Sequence, residues 1–291
     1  MIALLAALVL STPSVVASVH VGMKPCGSAV AGAYVYQANY GGQSLSKIDP
    51  RTNRVVKTAR VALAPCGVVY GGGSLWVEDY FSDHIVQVAP GSMRVLERIH
   101  VGSKPWDVAY GFHSVWSSNW ADGTVSRIDA RTRKVVKTIR TGGEPACIRT
   151  GDGAVWVGSQ NDQNIYRIDP VTDRVTRIHV GHFSELCVDV NASGVWVSDD
   201  AVSSVTRIDP KTNAIVATVK VPGSPADGVR GPDGYEWLPL QGSDLIARID
   251  PATNALVDTV HAQGSLFVVR DAFGSLWAGD FKGSSVTRIK P

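Results

Sequence analysis

The sequence predicts an all-β chain folded as a seven-bladed β-propeller of four-stranded blades, and three observations predict it. The tripeptide Ile48-Asp49-Pro50 recurs as Val88-Ala89-Pro90, Ile128-Asp129-Ala130, Ile168-Asp169-Pro170, Ile208-Asp209-Pro210, Ile249-Asp250-Pro251 and Ile289-Lys290-Pro291, at spacings of 40, 40, 40, 40, 41 and 40 residues. An aromatic marker keeps step with it: Tyr36, Trp76, Trp116, Trp156, Trp196, Trp237 and Trp277. No stretch carries a sustained apolar period near 3.6, so helices should be absent or trivial. A unit of about 40 residues with four short strands is one propeller blade, and seven units make seven blades.

In chain order, residues 2–10 (IALLAALVL) come first, an apolar run of nine. That is short of the roughly 20 residues that span a bilayer and suits a signal-peptide core. Cleavage after Ala17 would leave 18–291 as a single propeller domain, although the first basic side chain is His20 and a positive n-region is missing. The expected location is extracytoplasmic, secreted or periplasmic, with no membrane span. In the second unit, Gly67–Gly71, Ser74–Tyr80, His84–Ala89 and Arg94–Val101 read as strands, rich in Val, Ile, Trp and Tyr and bounded by turn residues. The last unit stops after its third strand. Val15–Gly22 (VVASVHVG) aligns with Val95–Gly102 (VLERIHVG), an outer strand with its exit turn. The N-terminal strand should therefore complete the seventh blade and close the ring.

Composition narrows the partners. With 44% hydrophobic and 19% charged residues and 29 glycines, the chain is neither disordered, collagenous nor a coiled coil. The net charge is +2 with the basic residues dispersed, which excludes a nucleic-acid patch. A monomer is expected.

The seven units also form an internal alignment that separates architecture from residues left over for function. His20, Arg60, His100, Arg140, His179, Lys220 and His261 share one position at the end of the outer strands. A charge there protects exposed edge strands from pairing with other chains. Lys47, Arg127, Arg167, Arg207, Arg248 and Arg288 recur before the Ile-Asp-Pro turn, and the aspartate serves that turn. Four residues beyond the marker stand Tyr40, Tyr80, Trp120, Gln160, Asp200, Gln241 and Phe281. Blades seven, one, two and three thus present aromatics, and blades four to six polar groups. The lead-in loops of the inner strands add Trp106, Asp107, His182, Phe183, Glu185 and Asp227. The candidate ligand-binding set is Tyr40, Tyr80, Trp106, Asp107, Trp120, Asp227 and Phe281. Aromatic platforms beside carboxylates suit sugars, aromatic compounds or cations. The same rings also serve if they only cover the end of the core.

The four cysteines contain no CxxC, which excludes zinc-ribbon and thioredoxin motifs. Cys26 and Cys66 lie 40 apart, as do Cys147 and Cys187, each pair at equivalent places in neighbouring blades. In an exported chain two disulfides, Cys26–Cys66 and Cys147–Cys187, are the preferred reading. The alternatives are a metal site on Cys147, Cys187 and His182, or four small buried thiols.

Tyr36-Gln37-Ala38-Asn39, Trp76-Val77-Glu78-Asp79 and Trp196-Val197-Ser198-Asp199, with the Ile-Asp-Pro-x-Thr turn, resemble the YVTN-type repeat of bacterial surface and periplasmic β-propellers, over about residues 15–291. More distantly the chain resembles the streptogramin B lyases. That likeness implies a histidine base and Mg²⁺ at the channel mouth, a face that His182 and His84 can reach, with His113 at the opposite end. No GxSxG, P-loop, HExxH or Rossmann pattern occurs. The first reading is an exported, non-catalytic propeller without cofactor that binds a small ligand, a glycan or a protein. The alternative is a lyase or hydrolase using Mg or Zn, with His182, Glu185, Asp107 and Asp227 as its catalytic groups. Convergence of those four in one pocket favours catalysis, and dispersal favours binding.

Overall fold

Short runs of Val, Ile and Trp between turn residues pair into seven four-stranded antiparallel sheets in the computed structural model, which describes residues 12–182 and 185–291. The blades are 25–60, 68–100, 105–140, 145–179, 186–220, 229–261 and 266–290, the last completed by Ser14–His20. The apolar run 2–10 and Phe183 lie outside the described residues. Helix among the described residues is limited to one 3₁₀ turn, Trp120–Asp122, and no helix is long and apolar enough to cross a membrane.

Ser14–His20 is hydrogen-bonded antiparallel to Ser285–Lys290, from Ser14 opposite Lys290 to His20 opposite Ser285. Strand Ser14–His20 begins before the Ala17–Ser18 bond, so a cut there would fall inside the outer strand of blade 7.

The marker aromatics hold the blades to one another. All seven are 0–1% exposed. Tyr36 packs with Leu75 and Val77 of blade 2, Trp76 with Val108 and Val115 of blade 3, and Trp277 with Val35 and Ile48 of blade 1 across the ring seam. A buried ring of this size removes enough apolar area from water for about 4–6 kcal/mol of transfer free energy. The basic residues before the turn cap these rings: the guanidinium carbon of Arg127 lies 5.0 Å from the Trp116 centroid and that of Arg288 5.2 Å from Trp277. The turn itself is closed by its aspartate, as where Asp169 Oδ1 accepts from the amides of Val171 (2.8 Å) and Thr172 (3.0 Å). The seven basic residues ending the outer strands are all exposed.

Two disulfides, Cys26–Cys66 and Cys147–Cys187, join the inner strands of blades 1 to 2 and 4 to 5, with Cα atoms 5.0 and 4.9 Å apart. Each closes a 40-residue separation, for which the chain-entropy account assigns about 4 kcal/mol. Replacing Cys147 and Cys187 together by Ser should lower the melting temperature by about 6 °C. An unchanged calorimetric melt would show that the bridge adds no stability.

Candidate functional site

One end of the ring carries an arc of seven aromatic rings. Centroid distances run Phe267–Phe281 5.5 Å, Phe281–Tyr40 5.9 Å, Tyr40–Phe81 6.4 Å, Phe81–Tyr80 5.1 Å, Tyr80–Trp106 5.8 Å and Trp106–Trp120 6.2 Å. The arc passes through blades 7, 1, 2 and 3, where the position four beyond the marker is aromatic. Trp120 donates its indole N–H to Gln160 Oε1 (2.8 Å), which joins the arc to the polar half of the rim. Tyr40, Tyr80, Trp106, Phe267 and Phe281 line a cavity of about 380 Å³, with Glu78, Glu185, Gln241 and Lys24 as its polar groups.

The two carboxyls of this cup are buried differently from surface acids. Glu78 is 1% exposed; its Oε1 accepts from the amides of Cys66 (2.5 Å) and Gly67 (2.8 Å). Oε2 has no hydrogen-bond partner among the described residues. Burial pushes the Glu78 carboxyl well above its usual range, and Asp107 and Asp79 push it further against the two amides. Gly67 makes this close approach possible, because a Cβ there would stand 2.6 Å from Asp107 Oδ1 and 3.1 Å from Glu78 Cγ. Burial raises Glu185 to about 7, helped by Asp200 and opposed by a hydrogen bond with Gln160.

Next to the cup lies a second cavity of about 390 Å³, in the channel, that shares Cys66, Trp106 and Phe267 with it. A buried ion network crosses this channel. Arg149 of blade 4 reaches Asp107 of blade 3 (Nη1–Oδ2 2.6 Å) and Asp227 at the start of blade 6 (Nη2–Oδ2 2.6 Å), and Arg270 of blade 7 meets the same Asp227 oxygen (2.5 Å). Burial alone would push the Asp227 carboxyl up, but Arg149 and Arg270 outweigh it and hold it below the usual carboxylate range. Asp189 stands in the same channel, its carboxyl raised chiefly by burial while Asn191 donates to Oδ2 (2.7 Å).

The four residues named for catalysis do not gather in one pocket, although Asp107 and Asp227 meet at Arg149. Glu185 lines the cup, whereas Asp107 and Asp227 lie in the channel, committed to Arg149. His182 is half exposed, lines neither cavity, and pairs through Nδ1 with Asp199 Oδ2 (2.9 Å). That aspartate sits three residues past the marker, where Asp79 and Asp280 likewise hold the lead-in loops of their own blades at Leu63 and Ser265. His84 turns toward His100 on the outer strand (centroids 5.3 Å).

Neither cluster of carboxylates and cysteines among the described residues suits a divalent ion. Asp107, Cys147 and Asp227 come within 4.8 Å of one another, as do Cys147, Glu185 and Cys187. The Arg149 guanidinium already bridges the two aspartates. Cys147 and Cys187 share a disulfide and offer no thiolate.

No family model and no curated protein matches this chain. Solved structures do. Virginiamycin B lyase from Staphylococcus aureus superposes with a TM-score of 0.84 at 15% identity, covering 96% of this chain and 100% of that one. A streptogramin B lyase gives 0.80 at 14%, covering 92% and 94%. Hydrazine synthase of Kuenenia stuttgartiensis gives 0.81 at 16%, covering 92% and 96%. The likeness is one of fold. At these identities, sites and chemistry do not transfer, since unrelated activities share one architecture.

Sequence reasoning passed over Glu78, Arg149, Asp189 and Arg270. The signal lay in the same internal alignment. Two residues past the marker, the other blades carry Ala38, Ser118, Gly158, Ser198, Pro239 and Gly279, all small, so Glu78 is the exception. Opposite the marker, the inner strands place Ala29, Val69, Ala109 and Val229, against Arg149, Asp189 and Arg270. Three charges among small apolar residues at a channel-facing position mark a functional or bridging cluster.

Proposed function

We propose that this chain is an extracytoplasmic propeller of the YVTN type that binds a small ligand in its aromatic cup without transforming it. The observation that carries the reading is the unbroken arc of rings around a cavity of about 380 Å³. Rings packed tilted or edge to face against one another offer a large apolar contact area at little entropic cost. A glycan or a protein side chain suits the same face, and the two disulfides support an oxidising location. The test is a panel of methyl glycosides, small alcohols and amines, followed by NMR shifts of the cup's indole N–H groups. Trp106→Ala and Trp120→Ala should each weaken a hit on the order of tenfold with the fold retained. Unchanged affinity in both variants would remove the site assignment.

The lyase reading keeps one specific support, the bond that orients His182 on Asp199, beside the fold shared with the streptogramin and virginiamycin lyases. Asp199 occupies an architectural position, and no other candidate catalytic group lies in that contact. Turnover of a bound compound that disappears in His182→Ala would favour catalysis; binding by both the wild type and that variant, with turnover by neither, favours the cup alone.

A further inference from the structure

We propose that the cup selects an organic cation, a ligand whose ammonium group is held by Glu78 and the surrounding rings while its apolar body lies along the aromatic arc. This rests on the binding reading above and names the ligand class.

Glu78 makes the demand. Glu78 lines the cup; its Oε1 accepts from two amides, while its Oε2 is buried and has no hydrogen-bond partner among the described residues. A buried carboxylate with one oxygen unsatisfied is costly until a positive donor meets it. Glu185 brings a second carboxyl to the same cavity. The rings supply the other half of a cation site, because the faces of Tyr and Trp attract ammonium groups within about 6 Å of the centroid. The protein already demonstrates the contact: the Lys104 ammonium lies 5.1 Å from the Trp120 ring centre and 5.8 Å from that of Tyr80. A neutral sugar would meet the same rings and its hydroxyls can donate to a carboxyl oxygen, but it brings no charge to balance an ionised Glu78.

The charge state of the cup then couples to the ligand. The groups facing Glu78 are Asp107, Asp79 and Tyr40. Those facing Glu185 are Asp200, Gln160 and Asp227, with Lys24 on the cavity wall. Burial, helped by these carboxylates, raises both glutamates, Glu78 well above its usual range and Glu185 to about 7. A cation requires the ionised form, so its binding releases protons and tightens as pH rises, by up to about tenfold per unit for each carboxyl that must ionise.

Choline, its neutral isostere 3,3-dimethylbutan-1-ol and methyl glucoside are the probes, titrated against the full chain at pH 6, 7 and 8 by tryptophan fluorescence. Choline should bind at least about tenfold more tightly than the isostere, tighten as pH rises, and lose most of that pH slope in Glu78→Gln. Glu185→Gln serves as the second variant, and the melting temperature of each is checked. Equal binding of choline and the isostere, or a preference for the glucoside, overturns the cation inference and leaves the ligand-binding cup in place. A pH-independent affinity for choline also overturns it. Failure of all three probes to perturb the cup tryptophans counts against both the inference and the reading beneath it.

Discussion

A chain lacking Ser14–Gly22 should be recovered as aggregate. The deleted strand pairs with Ser285–Lys290 along its length and carries Val19 and Val21, which are 3% and 7% exposed among Trp277, Val286, Val35 and Ile48. Losing two buried valines removes about 3–6 kcal/mol of transfer free energy. More serious is the uncovered edge: the backbone N–H and C=O groups of Ser285–Lys290 would face solvent as a template for pairing with another chain. The outer strand of blade 7 is the one whose partner comes from the opposite end of the chain, so this deletion alone opens the ring while leaving six blades complete. Light scattering and sedimentation velocity on the refolded variant decide the matter, and a soluble deletion mutant with one cooperative melt would falsify the closure argument.

The second large effect is expected at Asp227. Replacing it by Ala leaves Arg149 and Arg270 without the carboxylate that both contact, inside a channel where Asp227 itself is 5% exposed. Breaking a buried pair by removing one partner typically costs about 3–5 kcal/mol, because an uncompensated charge remains. For a domain of this size the melting temperature should fall by on the order of 10 °C. Arg149→Met should act in the same direction, leaving Asp107 and Asp227 facing each other across the channel. The sign with pH follows from the lowered Asp227 carboxyl. A group whose folded pKa is depressed contributes stability above its unfolded value, near 4, and loses it as pH falls through the folded one. The difference between wild type and Asp227→Ala should therefore hold from pH 5 to 8 and shrink in stronger acid. Differential scanning calorimetry across that range tests both points, and equal melts at pH 7 would show that the network adds nothing.

The blades were legible because each repeats the same physical solution, a marker aromatic packed into the next sheet and an aspartate-closed turn. Periodicity exposes such solutions directly. The arc of rings was legible for the same reason, since one loop position varies against a constant frame and Tyr40, Tyr80, Trp120 and Phe281 stand on it. Phe81 and Phe267 complete the arc from neighbouring positions that the one-position comparison skipped. The ion network was not legible as a contact. Arg149 and Asp227 lie 78 residues apart and meet across the axis, a distance that depends on ring diameter and side-chain reach. Asp107 and Asp227 could be assigned to the channel mouth from their loop position, but their guanidinium partners come from inner-strand positions that looked like plain wall. Glu78 was hidden inside a repeat motif, where its chemistry stands out only when the other six residues at that position are seen to be small.

The two disulfides are not spread evenly, and their placement decides where the molecule breathes. One ties blades 1 and 2, the other blades 4 and 5, and neither touches blade 7. Blade 7 is also where the chain must close a loop of nearly its whole length, which costs about 3 kcal/mol more than closing a local hairpin. Long-range pairing of this kind forms late and opens early. Any opening of the seam between the last blade and the first would separate Phe267 and Phe281 from Tyr40, the rings on either side of it, and so break the wall of the cup.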